Sequence, residues 1–287
     1  MRFILTLILP LLAAAQDFSE LRVEKVATGY IFTEGPAWSR EGFLLFSDVP
    51  ANQIIRYVPG KGAAVYRENT NGGNGNTFDA KDRLYTCESR TRRVIRTDKK
   101  GKVEVLAEKF QGKRLNAPND IVVRRDGHIY FTDPAFGNQA DSRELDFYGV
   151  YHIDLRGQLE LIAKPAGRPN GIALSPDGRI LYVANSDERN LRAYTVDERG
   201  KASEERVLVT GIDGVPDGIR VDEKGNVYVT AKGVAIYSPE GKLIHTIELA
   251  ETPANCAFGD PDFQSLYVTA RTSVYRIRLN VKGSVQY

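Results

Sequence analysis

Pro169-Asn170-Gly171-Ile172-Ala173-Leu174-Ser175-Pro176-Asp177-Gly178-Arg179-Ile180-Leu181-Tyr182-Val183-Ala184 reads as a polar cap, a short strand, a tight turn and a second strand carrying Tyr-Val. Forty-seven residues after Asn170, Pro216-Asp217-Gly218-Ile219-Arg220-Val221 begins the same phrase and runs through Gly225-Asn226 into Val227-Tyr228-Val229-Thr230. It recurs from Pro118-Asn119-Asp120 to Ile129-Tyr130-Phe131, and from Ala254-Asn255-Cys256 to Leu266-Tyr267-Val268. Weaker copies open at Glu34-Gly35-Pro36-Ala37-Trp38 and at Asn74-Gly75-Asn76-Thr77-Phe78. The six anchors at 34, 74, 119, 170, 217 and 255 are separated by 40, 45, 51, 47 and 38 residues. A third strand such as Gln53–Tyr57 or Arg192–Val196 follows each copy, and no window shows a sustained helical period. Repeats of this length predict an all-β chain, a six-bladed β-propeller with four-stranded blades. Trp38 is the only tryptophan and Trp-Asp signatures are missing, so the blades are not of the WD40 type. Leu21 to Ile31 precedes the first anchor and is expected to give the last blade its outer strand.

Around this repeat the rest of the chain is ordinary. Lys+Arg 39 against Asp+Glu 37 gives a net charge of +2, so no basic field points to nucleic acid. Arg2 and the apolar run Phe3 to Ala15, ending in Ala13-Ala14-Ala15, have the form of a secretory leader. The expected organisation is a signal peptide over 1–15 and a single propeller domain over 16–287, exported to a periplasm or secreted, with no membrane span. Cys87 and Cys256 fall at different phases of the repeat and are expected to be unpaired, buried thiols. His128, beside the Asp126-Gly127 turn, is expected to face solvent, and Arg90, Arg92, Arg93 and Arg96 to cover a solvated strand edge.

The chemical signal lies in the anchors. The first strand of a propeller blade lines the central channel, so residues at one phase of the repeat share one level of it. In order they are Glu34, Asn74, Asn119, Asn170, Asp217 and Asn255, all carboxylates or carboxamides. Singly, each is a common turn residue. Six at one inward phase form a ring of oxygen donors whose two negative charges match one divalent cation. His and Cys are absent from the ring, which ranks Ca²⁺ first, Mg²⁺ and Mn²⁺ next, and Zn²⁺ low. No G-x-S-x-G elbow or phosphate loop competes with this site.

Glu34-Gly35-Pro36-Ala37-Trp38, Leu45-Phe46-Ser47-Asp48-Val49, Leu115-Asn116-Ala117-Pro118-Asn119-Asp120, Tyr130-Phe131-Thr132-Asp133-Pro134, Arg168-Pro169-Asn170-Gly171 and Pro216-Asp217-Gly218-Ile219 occur in this order. As an ordered set they resemble the gluconolactonase, regucalcin and luciferin-regenerating-enzyme family, from about Val26 to Leu279. The resemblance implies a metal held by Glu34, Asn119, Asn170 and Asp217, and hydrolysis of a sugar lactone. Asp217 is then the expected catalytic base or nucleophile, with Asn74, Asn255, Glu88 and Asp133 expected on the substrate side. Animal members place an arginine just before the Pro-Asn motif, where this chain has Ala117, so its substrate pocket is expected to differ. Two other readings fit the same ring: a phosphotriesterase-like hydrolase, and a non-catalytic exported propeller with a structural ion.

Overall fold

Each copy of the repeated phrase folds as an antiparallel hairpin, because a short polar turn returns the chain in register. In the fourth copy Pro169–Leu174 pairs with Ile180–Asn185, and Ser175 Oγ donates to Asp177 Oδ1 at 2.6 Å inside the turn. In the fifth, Asp222 Oδ1 accepts the N–H groups of Lys224 and Asn226, both at 2.9 Å. Two more strands complete each sheet. The computed structural model describes residue 18 and residues 20–286, and arranges them as a six-bladed β-propeller of four-stranded antiparallel blades. The leader expected over residues 1–15 lies outside the described residues.

The six first strands (Thr33–Ser39, Gly73–Phe78, Ile121–Val123, Pro169–Leu174, Ile219–Val221 and Pro253–Gly259) touch their neighbours in a closed ring. Most of their residues are buried on both faces, which a sheet achieves only when layers cover it on both sides. The core is accordingly divided into six wedges, one between each pair of blades. Trp38, Phe46 and Tyr57 of blade 1, for example, pack against Ala257, Tyr267 and Val274 of blade 6. The second strands of blades 2 to 6 each insert a buried tyrosine at matching register: Tyr85, Tyr130, Tyr182, Tyr228 and Tyr267. In blades 2, 5 and 6 the aspartate at the end of the first strand accepts the phenol proton: Asp79, Asp222 and Asp260, at 3.1, 3.2 and 2.7 Å. A large ring is buried without leaving its hydroxyl unpaired.

As expected, Val23–Thr28 supplies the outer strand of blade 6, pairing with Ser273–Arg278 from Val23↔Ile277 to Thr28↔Ser273. Glu251 holds this seam from inside. Its carboxylate accepts Ser273 Oγ at 2.6 Å, Tyr275 OH at 2.8 Å and Thr272 N at 2.9 Å, and pairs with Lys25 at 3.1 Å. Cys87 and Cys256 are free and buried. Two surface expectations are corrected. His128 is buried, its Nδ1 2.7 Å from Nε2 of His152, because the turn of blade 4 at Gly200 packs over its ring. Arg92 is buried too: it reaches across to Ser142 O at 2.9 Å and so fastens the long connection of blade 3.

Tyr267 crosses the closing seam, stacked on Trp38 at 5.4 Å with its hydroxyl on Asp260. Tyr267→Ala is expected to lower the unfolding free energy by about 4 kcal/mol, and Tyr267→Phe by about 1 kcal/mol. Urea unfolding at 25 °C measures both. Equal losses would show that the ring's packing contributes nothing.

Candidate functional site

Four of the six inner strands begin with a fault in their register. Pairing skips between Glu34 and Ala37, Gly73 and Asn76, Pro169 and Ile172, and Pro253 and Asn255. In blades 3 and 5 the anchor lies just ahead of the strand and is tied by single bonds instead. Asn119 N donates to Thr132 O at 2.9 Å, and Asp217 N to Thr230 O at 2.8 Å. Such bulges break the alternation of side chains and re-aim one of them, a device common beside active sites.

The residue after the anchor is glycine in four blades, because adjacent strands touch there. A Cβ on Gly35 would lie 1.9 Å from Asn74 O, and one on Gly171 2.3 Å from Asp217 O. The close approach makes a belt: Gly75 N donates to Asn119 O at 2.8 Å, Gly171 N to Asp217 O at 3.0 Å, and Gly218 N to Ala254 O at 2.7 Å.

Asp120 and Cys256 replace that glycine in the other two blades, and Asp120 is the one acid at this position, a sequence signal that would have singled it out. Asp120 is fully buried and joins four blades. Its Oδ1 accepts Ile121 N at 2.9 Å, while Oδ2 faces Ile172 N at 3.4 Å, Asn255 Nδ2 at 3.5 Å and Arg220 Nη1 at 3.5 Å. Arg220 is fixed in turn by Ile219 O at 2.7 Å and Pro36 O at 3.4 Å. Nothing in the repeat marked Arg220, which occupies an ordinary strand position.

Glu34 Oε2 accepts Gly35 N at 2.6 Å and Asn255 Nδ2 at 3.1 Å. Burial, aided by the charge of Asp120, pushes its carboxyl up to about 7. Asp217 keeps part of its residue surface open to a pocket, yet its carboxyl is enclosed. Burial first, then Glu34 and Asp120, raise it well above the usual carboxylate range, while the Asn170 amide opposes them. Asn170 Nδ2 donates to Ser186 Oγ at 3.1 Å, and Ser186 Oγ donates to Pro216 O at 2.8 Å. Two buried amide oxygens, Asn170 Oδ1 and Asn74 Oδ1, have no donor among the described residues.

An unmatched buried acceptor costs about 1–3 kcal/mol, and an unpaired buried carboxylate more. A hard cation satisfies both kinds of oxygen at once, so the donor set fits one. Three carboxylates (Glu34, Asp120 and Asp217) against the single guanidinium of Arg220 leave a formal charge of −2. Among the described residues no three His, Cys, Asp or Glu side chains converge as metal ligands, so an ion here would rest on carboxylate and amide oxygens together.

Glu34, Asn74, Asn119, Asn170 and Asp217 therefore gather at the starts of the inner strands. Three residues expected on the substrate side have their polar groups engaged by other residues of the chain. Asn255 is buried, its Oδ1 accepting Cys256 N at 2.8 Å while its Nδ2 bridges Glu34 and Asp120. Glu88 is buried against Arg93 Nε at 2.5 Å and Thr91 Oγ1 at 2.6 Å. Asp133 accepts Asn116 N and Ala117 N, both at 2.8 Å, and shapes the loop that delivers Asn119. Its carboxyl, too, is pushed up to about 7 by burial.

The chain matches the family described as the SMP-30/Gluconolactonase/LRE-like region over residues 32–272. It is 32% identical to a gluconolactonase of Zymomonas mobilis subsp. mobilis, with 96% of this chain and 85% of that protein covered. A gluconolactonase structure from Xanthomonas campestris superposes with a TM-score of 0.85 at 31% identity, covering 91% of this chain and 90% of that one. Regucalcin, a calcium-binding protein from Agrobacterium tumefaciens, shares the fold with a TM-score of 0.77 at 19% identity, covering 92% and 96%.

Raised carboxyls make metal-free stability depend on pH. Between the ordinary carboxylate range near 4.5 and about 7, the folded chain holds protons on Glu34 and Asp133 that the unfolded chain has lost. Stability is then present below that range and lost as pH rises through 7. Chelator-treated protein is expected to melt at a higher temperature at pH 5.0 than at pH 7.5. A midpoint that rises over this interval would contradict the protonated centre.

Proposed function

This chain belongs to the SMP-30/gluconolactonase/LRE-like family, and from that premise we propose that it is a metal-dependent hydrolase opening a sugar lactone. The observation that supports this most directly is the juxtaposition at Asp217. Its carboxyl is enclosed beside Glu34 and Asn170, while the residue lines a pocket open to solutes. Glu34, Asn119, Asn170 and Asp217 would hold one divalent cation, Ca²⁺ in the first place, which when bound keeps both carboxylates ionised and polarises the lactone carbonyl.

The residues of the chain supply the proton path. Asp217 accepts a proton from the water that adds to the carbonyl carbon. As the ring C–O bond breaks, that proton passes to the departing ring oxygen, and the new carboxylic acid ionises, releasing one proton to solvent. Glu34 and Asn170 fix the base, and Asn255 fixes Glu34 by bridging it to Asp120. The proposal includes export by the segment 1–15, so the lactone would be met in the periplasm or the medium.

Acid release from glucono-δ-lactone tests the reading, on chelator-stripped protein before and after Ca²⁺, Mg²⁺, Mn²⁺ or Zn²⁺. Turnover is expected to return with Ca²⁺. Glu34→Gln and Asp217→Asn are each expected to lose about a hundredfold or more in kcat with circular dichroism unchanged. Full activity without metal, or in either variant, would overturn the assignment.

A further inference from the structure

The pocket beside Asp217 lies between blades 5, 6 and 1 and has a volume of about 430 Å³. Phe32, Val215 and Pro253 give it an apolar wall, and Lys232 and Arg271 bring two cations to it. They are not equivalent. Lys232 Nζ is paired with Asp213 Oδ2 at 3.2 Å, both side chains lying out in solvent. Among the described residues no carboxylate lies within ion-pair distance of Arg271.

The turn that carries Arg271 is clamped from two sides. Arg271 O accepts Thr33 N at 2.7 Å and Thr33 Oγ1 at 3.2 Å, one residue before Glu34. The next residue, Thr272, donates from N and Oγ1 to Glu251 at 2.9 and 2.8 Å. Arg271 itself sits at φ 47°, a left-handed conformation that costs a branched or long side chain about 1 kcal/mol or more. Among the described residues the Arg271 guanidinium thus has no carboxylate partner, and it stands on a fixed turn at a pocket that Asp217 also lines.

A guanidinium presents parallel N–H donors that match a carboxylate, and an apolar wall beside it raises the strength of that contact. Building on the hydrolase reading above, we propose that Arg271 is a specificity-determining residue. It selects sugar lactones that carry a second, free carboxylate at the end remote from the ester. The lactone carbonyl is placed at Asp217, and the remote carboxylate is taken by Arg271. The carbon face between them lies along Phe32, Val215 and Pro253.

The test compares glucono-δ-lactone, which is neutral, with glucaro-1,4-lactone, which keeps a carboxylate, on Ca²⁺-loaded full-length protein and its Arg271→Gln and Arg271→Lys variants. The ratio of kcat/KM for the acidic over the neutral lactone is expected to fall about tenfold in Arg271→Gln, through KM, and to recover in part in Arg271→Lys. An unchanged ratio in Arg271→Gln overturns the proposal. Calorimetry with D-glucarate gives a readout free of turnover: binding about tenfold weaker in Arg271→Gln supports the pocket, and equal or undetectable binding in all three proteins overturns it. Wild-type protein that opens neither lactone, yet binds glucarate through Arg271, would sink the lactonase reading and leave the anion pocket standing.

Discussion

Three carboxylates enclosed on one axis are the constraint to which the rest of the molecule answers. Asp120 raises the proton affinity of Glu34, Glu34 and Asp120 raise that of Asp217, and burial removes the water that would screen them. Taking each charge out of water costs several kcal/mol unless donors replace the solvent. The backbone supplies some of them, from Gly35 N to Glu34 and from Ile121 N to Asp120. Asn255 shares its amide between two of the acids, and Arg220 brings the one cation that faces Asp120. These partners neutralise one charge of three. The remainder defines what the centre demands: either protons, or a doubly charged ion with oxygen-seeking chemistry.

Such a centre needs a scaffold that can bring strand ends from six places to one point and hold them there. A single flat sheet cannot, since its strand ends lie in a row about 4.8 Å apart. Closing six sheets into a ring does it, and closure also buries both faces of every blade in the wedges beside it. Apolar burial is thereby distributed over six interfaces, each with its own large aromatic or aliphatic insertion. The seam is the one interface made from both ends of the chain, and it lies next to the site. Glu251 locks Thr272 in the seam, and Thr33, bonded to the neighbouring Arg271, precedes Glu34. Ring closure and site geometry therefore share the same few residues.

The repeat made the blades and the ring of anchors legible, because strand phase is periodic and propeller geometry converts phase into depth along the axis. Tertiary partners are not periodic. Asp120 could be noticed as the one acid at a position that is glycine after four of the six anchors, but only the fold shows that its carboxyl meets residues from blades 4, 5 and 6. His128 and Arg92 sit in turns that look solvated, and each is covered by a loop from elsewhere, at Gly200 and at Ser142. Glu88 and Asp133, expected on the substrate side, stand in the same strand position of consecutive blades, at the end of the second strand. Their carboxylates instead bind local N–H, O–H and guanidinium groups that shape the loops. A motif locates such a residue well, and says little about which neighbour takes its charge.

The pleat also separates hard ligands from soft ones. Cys256 directly follows Asn255, whose amide touches Glu34 and Asp120, so a thiol lies one residue from the ring. On a strand, adjacent side chains take opposite faces, and Cys256 is buried in the wedge with Tyr228 and Val268. There, burial pushes the thiol up to about 12, which keeps it protonated and a poor metal ligand. A one-residue slip would exchange the two side chains and offer a soft sulfur in place of an amide. The bulge between Pro253 and Asn255 sets that register, so the oxygen character of the centre is determined by backbone pairing as much as by the anchors themselves.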